Sequence, residues 1–437
     1  MVALLENSHI LSDVSNSVAR GNLIQVATIL SNYPVRTVQK MKFRSLLRFS
    51  STLITPHKIW LAALISLAAI VPPPARAANS VILRVAIQQN VAQVNVGSSV
   101  DARVLDASNQ TLGKIQGMNG FAAQAKNGGV ALDRWQGNAI RIQPDDPNGV
   151  VWIGDRWYRG SVAIVPTGKG LTVINYVDLE HYLFSVLGSE MSGSWPQEAL
   201  KAQAVAARSY ALYEREGSRS QLFDLGNTAG WQVYGGVQTE SGGTQAAVGA
   251  TAGQVLISNS RIINAVFHSS AGGCTDKSEE IWVQALPYLR GTKDQFDEGS
   301  PVNVWSKPVS ASQLGSFGVG NVQSITPTKK TSNCGRIKEV EIVGDRGRRV
   351  RVSGDTFRDR LGLKSTYLTQ ISPQVVASSK GNTKSTSTGF VINGRGFGHG
   401  LGMSQWGAYN MARQNLNYRQ ILGHYYQNTA LSTIDVK

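Results

Sequence analysis

The chain has 437 residues, 42% of them hydrophobic and 16% charged, which excludes a largely disordered protein and leaves room for two or three domains or one large core. Lys and Arg outnumber Asp and Glu by 43 to 28, a net +15 that favours anionic polymers as partners without specifying a fold. Forty-five glycines and many short Val/Ile/Thr runs disfavour a helical bundle, and the two cysteines, Cys274 and Cys334, lie too far apart for a CxxC metal or redox motif.

The N-terminus reads as an address. Trp60 to Val71, WLAALISLAAIV, is a short apolar run preceded by Lys42, Arg44, Arg48 and Lys58. Ala75-Arg76-Ala77 follows as a small-x-small cleavage site. The run is shorter than the roughly 20 residues a spanning helix needs. Residues 41–77 are therefore expected to be a cleaved signal peptide, with an uncleaved membrane anchor as the second reading. Met41-Lys42-Phe43-Arg44 is the better start, which makes 1–40 a candidate mis-called extension. The implied location is outside the cytoplasm, in the periplasm or cell wall. No block of like charges forms a nucleic-acid arm, so no nucleic-acid partner is expected.

From residue 80 to 176 the pattern alternates or runs apolar between Gly, Asn and Asp turns, as in VILRVAIQ, AQVNVGS, NAIRIQP, GVVWIG and LTVINYV. This predicts an antiparallel β unit, with 78–150 as a β-rich N-terminal region and 151–437 as the main domain. At Asp178 the period changes: Leu179, Tyr182, Leu183 and Val186 have helical spacing. A second helix is expected to start at Ser194 as N-cap, with Gln197 completing a capping box and EALKAQAVAARSYALYERE supplying strong helix formers. Strands at GQVLIS, RIINAVFHS, EVEIVG and RVRVSG follow, then a short helix near FRDRLGL, a polar low-complexity loop at 377–388, a Gly-rich strand, and one last helix over GAYNMARQNLNYRQILGHYYQ. The fold class is α+β: a β-rich mixed fold with a few helices, its antiparallel sheets forming a substrate cleft.

Four places carry candidate chemistry. Glu190 sits at the break between the two helices among Leu187, Gly188, Met191 and Trp195; a carboxyl in apolar surroundings is held protonated and serves as a general acid, while the plainer reading is a surface carboxylate at a helix end. Lys201 and Arg208, two turns apart on one helix face, frame a groove for a carboxylate or sugar hydroxyls, or else form a solvated cationic face. His268 and Cys274 offer two metal ligands, with Glu280 or Cys334 as a third, or simply a turn after a strand. Cys274 and Cys334 are equally open to a disulfide. Finally, GRGFGHGLGMSQWGA places Gly394, Gly396, Gly398, Gly400 and Gly402 at alternate positions. On a strand this bares one face of backbone, suited to the broad face of a glycan, and His399, Ser404 and Gln405 become the polar edge of a cleft. The competing reading is tight strand-to-helix packing. The stretch is neither a dinucleotide fingerprint nor a P-loop.

Several blocks together resemble the SpoIID/LytB family of bacterial cell-wall proteins: YLFSVLGSEMSGSWPQEALKAQAVAARSYAL, VYGGV, FHSSAGGCTDKSEEIWVQALPYLRG, GDTFRDRLGL and GRGFGHGLGMSQWGAYNMA. They follow the family's order over about 155–435. The resemblance implies a peptidoglycan lytic transglycosylase acting on peptide-stripped strands between N-acetylmuramic acid and N-acetylglucosamine, with relatives called amidase enhancers. It places the catalytic glutamate at Glu190 and the basic residues of the next helix at Lys201 and Arg208. Some members hold zinc through His-x5-Cys-x5-Cys; this chain keeps His268 and Cys274 but has Glu280 in the third position, and no cofactor is required.

A hydrolase of such a bond uses two carboxylates. A transglycosylase manages with one, which protonates the leaving oxygen and then takes the proton of the muramic C6 hydroxyl as a 1,6-anhydro ring closes. Glu190 is expected in both roles, Lys201, Arg208, His399, Ser404 and Gln405 as substrate contacts, and Trp195 or Trp406 as a stacking surface or core. The expected partners are peptidoglycan glycan strands and a cell-wall amidase. A non-catalytic glycan-binding protein that activates an N-acetylmuramoyl-L-alanine amidase is the rival reading.

Overall fold

In the computed structural model, residues 80–380 and 383–434 are described; the expected extension and signal segment at 1–77 lie outside them. The structure is α+β, with several antiparallel sheets and eight helices among the described residues. No described helix is long and apolar enough to cross a membrane.

The alternating N-terminal segments form two sheets. One has seven strands in the order 225–226, 82–91, 170–178, 161–167, 140–144, 102–105 and 111–115; the other has six, in the order 156–159, 150–153, 93–98, 120–126, 129–132 and 135–137. Their apolar residues meet in one core: Val85, Ile142, Ile164 and Val173 from the first, Val96, Ala123, Leu132 and Val151 from the second. Strands from both sides of residue 150 pair within the same sheet, so the expected boundary at 150 runs through this core.

Helix α1, Leu179–Glu190, follows the strand 170–178 directly. Asp178 caps it, its carboxylate accepting from the backbone N–H of Glu180 and His181 at 2.9 and 3.2 Å. Leu179, Tyr182, Leu183, Val186 and Leu187 bury the expected stripe. Helix α2, Gln197–Gly217, starts later than the capping-box reading placed it: Pro196 is its N-cap, and the Ser194 hydroxyl bonds that of Ser192 instead. The helix opens on backbone bonds alone, the Pro196 carbonyl accepting from the Ala199 and Leu200 N–H at 3.0 and 3.2 Å.

Alanines let α2 serve two cores at once. Leu200, Ala204, Ala207 and Ala211 join the sheet core. Ala199, Ala202, Val205 and Ala206 join a second, built with Leu256, Met403, Met411, Leu422 and Tyr425. This second core includes residues of the helices α7, Gln405–Arg413, and α8, Tyr418–Tyr425, which sequence periodicity had merged into one. They separate because Asn415 takes a left-handed φ of 64° and Asn417 opens a new capping box with Gln420. Between α2 and α7 lie α3 (Gly242–Ala250), the single turn α4 (Ser278–Ile281), α5 (Ala311–Gly315) and α6 (Gly354–Leu361). Trp305, Phe317, Ile342, Phe357 and Ile392 form a third core beside two three-stranded sheets. The polar stretch expected as a loop at 377–388 lies mostly in a hairpin, strands 368–380 and 383–395 pairing antiparallel. Its Ser and Thr residues suit a strand as well as a loop, and composition alone does not separate the two.

Arg208 is fully buried. Its guanidinium forks onto the Glu180 carboxylate at 2.7 and 2.5 Å and donates to the Gln254 carbonyl at 3.1 Å, joining α2, α1 and the strand 254–258. Removing one partner of such a pair leaves a charge without compensation and costs about 3–5 kcal/mol. Arg208→Ala is therefore expected to lower the urea-unfolding free energy by that order. Lys201→Ala, which breaks only a half-exposed pair with Glu198, should cost under about 1 kcal/mol.

Candidate functional site

Glu190 is the last residue of α1 and half-buried. The chain turns away at Met191, which adopts an extended conformation, so the carboxyl projects beyond the helix into a cavity of about 290 Å³. One carboxyl oxygen accepts from the Val233 backbone N–H at 3.3 Å, and the other from the Gln405 amide at 3.2 Å. The walls come from four separate parts of the chain: Tyr210 of α2, the segment 229–233, residues 266–269 with Trp282, and residues 397–399 with Gln405. No other carboxyl lines the cavity among the described residues, and neither does any Lys or Arg.

The glycine run builds one wall, though not as an open strand. Only Gly394 continues a strand, lying flat on the ring of Trp305. Gly396, Gly398, Gly400 and Gly402 all have positive φ, between 65° and 114°. The reason is close approach. A Cβ on Gly398 would fall 2.6 Å from that of His268, and one on Gly402 would collide with the Val266 carbonyl oxygen. The bare backbone faces residues 266–272 and Arg336, and Gly396, Gly400 and Gly402 are buried there, leaving only Gly398 at the cavity. Packing therefore accounts for the glycines, and the expected glycan-facing floor of five is reduced to Gly398. What the segment offers the cavity is Phe397, Gly398 and His399.

Parallel pairing of 267–268 with 403–404 brings two histidines together, with ring centroids 5.2 Å apart. The backbone sets opposite tautomers. His268 Nδ1 donates to the Leu401 carbonyl at 3.0 Å, leaving Nε2 buried and without a hydrogen-bond partner. His399 Nε2 donates to the Phe267 carbonyl at 3.0 Å, while its Nδ1 accepts the Leu401 N–H. Burial drives both rings to the neutral form: His268 well below its usual range, His399 down to about 4. With both nitrogens taken, His399 lines the cleft but has no polar atom to spare for a sugar hydroxyl.

Ser404 does not reach the cleft. It is buried, caps α7 through the Gly407 N–H, and donates to the Asp297 carboxylate at 2.7 Å. Gln405 lines the cavity, and its amide is engaged by Glu190. Lys201 and Arg208 are not among the lining residues; their charges are met by Glu198 and Glu180. Trp195, Trp406 and Tyr409 form a half-buried aromatic cluster with centroids 4.8–5.3 Å apart, outside the cavity lining.

Cys274 is joined to Cys334 in a disulfide, so its sulfur is no longer a thiolate ligand. Glu280 is held by the hydroxyl and N–H of Ser332. Among the described residues no three His, Cys, Asp or Glu side chains are grouped to hold a metal. The oxidised chain therefore does not fit the zinc set that His268 and Cys274 suggested.

Two tryptophans that sequence reasoning passed over, Trp231 and Trp282, line the cavity and are each 37% exposed. Tyr210 and the Val233 N–H were likewise missed. No local pattern marks an exposed aromatic, because exposure is decided by distant segments.

Residues 167–257 match the family model described as SpoIID, stage II sporulation protein. The chain is 30% identical over 288 residues to stage II sporulation protein D of Bacillus subtilis, covering 60% of this chain and 76% of that protein. It is 31% identical over 342 residues to the amidase enhancer of the same species, covering 68% of this chain and 47% of the relative. An uncharacterized protein of Brachyspira hyodysenteriae is 33% identical over 274 residues, 62% of this chain and 70% of its own length.

Both histidines are expected to be neutral at pH 5.5 in opposite tautomers, proton on Nδ1 of His268 and on Nε2 of His399, as read by long-range 1H–15N correlation spectra. Because the folded His399 titrates at about 4 against its ordinary 6.5, the unfolded chain binds the extra proton first. Its contribution to stability is complete above pH 6.5 and should be lost as pH falls towards 4. Replacing His399 by Gln should flatten that limb of the stability–pH curve.

Proposed function

The chain belongs to the SpoIID family, and from that premise we propose that it is an exported lytic transglycosylase that cuts peptidoglycan glycan strands with Glu190 as both acid and base. The observation that carries this reading is the solitary carboxyl: Glu190 is the only acidic side chain lining the cavity among the described residues. Hydrolysis through two flanking carboxylates would need a second one about 5–9.5 Å away. Intramolecular closure needs one group that gives a proton to the leaving oxygen and takes one from the C6 hydroxyl, and no bound water as nucleophile.

Gln405 suits a group that changes protonation state. Its amide donates to a carboxylate, and after half a turn its carbonyl accepts from a carboxylic acid, so one side chain holds Glu190 in either form. The Val233 N–H anchors the other oxygen. Trp231 and Trp282 supply aromatic faces for pyranose rings. No step is assigned to a metal, since the donor set does not fit one.

The amidase-enhancer relative supports a second reading, in which the same cleft holds a glycan strand while an amidase is recruited. Product analysis separates the two. Purified protein with peptide-free glycan should yield anhydro-muramic ends by mass spectrometry, undiminished by a chelator, and Glu190→Gln should reduce them by at least about 10³-fold while retaining the strand. Full retention with no anhydro ends from the parent protein would leave the adaptor.

A further inference from the structure

Three tryptophan rings rest directly on a glycine. Two of them, Trp135 on Gly113 and Trp305 on Gly394, are buried and belong to cores. The third differs. A Cβ on Gly226 would fall 2.5 Å from Cε3 and Cζ3 of Trp231, so the benzo half of that indole is seated on bare backbone, yet Trp231 remains 37% exposed. Glycine beneath an exposed ring lets it sit down on its strand and be held in one attitude without being covered.

Trp231 also borders two cavities. One is the cleft of Glu190; the other, of about 410 Å³, is lined by Tyr213, Glu214, Ser218, Arg219 and Phe223 among others. Helix α2 passes along both, with Tyr210 on the first and Tyr213, Glu214 and Gly217 on the second. At a rise of 1.5 Å per residue, Tyr210 to Gly217 covers about 10 Å.

We propose that this second cavity is a distal saccharide subsite continuous with the Glu190 cleft, and that Trp231 is the stacking platform shared by the two. The inference rests on the glycan reading of the cleft and extends it: the protein grips a longer strand segment than the cleft alone can hold.

The lining has the chemistry of a sugar site. Three aromatic side chains, Trp231, Tyr213 and Phe223, offer apolar faces to pyranose C–H groups. Glu214, half-buried, makes neither a hydrogen bond nor an ion pair among the described residues, so its carboxyl is left to bond sugar hydroxyls. The other acid of the cavity, Asp224, is already paired with Arg84 at 2.7 Å.

The test is titration calorimetry on the Glu190→Gln protein with N-acetylglucosamine oligomers of three and six rings. The six-ring oligomer should bind about tenfold tighter, and Trp231→Ala should remove that advantage without moving the melting temperature. Trp231→Phe should restore part of it, and Glu214→Ala should weaken only the longer oligomer. Equal binding of both oligomers by the parent, or an undiminished advantage in Trp231→Ala, overturns the inference. Length-dependent binding that needs Trp231 in a protein yielding no anhydro ends would sustain the subsite while removing the catalytic reading. Cleavage with a length preference indifferent to Trp231 would do the reverse.

Discussion

Four donors converge on the carboxylate of Asp297, a residue with no exposed surface. The Ser270 hydroxyl and Gly272 N–H reach one oxygen at 2.7 Å each; the Ser404 hydroxyl and the Ala271 N–H reach the other at 2.7 and 3.1 Å. Ser270, Ala271 and Gly272 follow His268 closely, and Ser404 immediately precedes Gln405. One buried carboxylate therefore sets where the histidine wall ends and where the side chain that meets Glu190 begins. Desolvation raises its pKa in spite of the four bonds, and it raises that of its neighbour Asp294 to about 7, assisted by repulsion from Asp297. Tyr425 donates to Asp294 at 2.8 Å, which brings α8 into the same arrangement. Deleting an acceptor of this kind strands several buried donors at once, each at a cost of about 1–3 kcal/mol.

The glycine run is the counterpart of that anchor. Residues 396–402 can be drawn against 266–272 only if side chains are missing along the line of contact. The positive φ values turn the chain so that the His399 ring donates to the Phe267 carbonyl and the Leu401 carbonyl accepts from the His268 ring. Gly400 lies on the guanidinium of Arg336, which is itself buried beside Asp276 and donates to the carbonyls of Ala271 and Cys274. The disulfide from Cys274 to Cys334 closes the same region two residues from Arg336. The seam thus joins the second core to the β-rich segment that holds the third.

What could be read from the sequence follows from the range of the forces involved. The strands of 80–178, α1 and α2 were legible because burial on one face writes a period of 2 or 3.6 into nearby residues. Glu190 was legible as a lone acid at a helix break. The fate of Arg208 was half legible: a cation on a helix this rich in alanine needs a partner, but Glu180, 28 residues earlier, is identified only when α1 and α2 are side by side. The glycine alternation mimicked a strand face because spacing does not record the sign of φ. Ser404 looked like a cleft residue for a related reason: an N-cap and a binding serine are the same letter. Trp231 and Trp282 owe their exposure to segments far away in the chain, and nothing adjacent to them records it.

The charge distribution then bears on which polymer suits the cleft. The chain carries +15, yet no Lys or Arg lines the Glu190 cavity among the described residues. Arg208 is consumed by Glu180, Lys201 by Glu198, and Arg336 lies beneath the glycine seam beside Asp276. The two histidines on the wall are held neutral. If the proposed glycan reading holds, a strand still bearing stem peptides would bring carboxylates beside Glu190, where the lining has no cation to receive them. On the same reading, a bare glycan would bring hydroxyls, acetamides and apolar ring faces to the aromatic side chains and the one carboxyl of this lining. Net positive charge attracts an anionic polymer at long range without selecting a register on it. On the glycan reading proposed above, the absence of a cation around Glu190 favours a neutral, peptide-stripped segment at that position, whereas the second cavity has Arg219 in its lining.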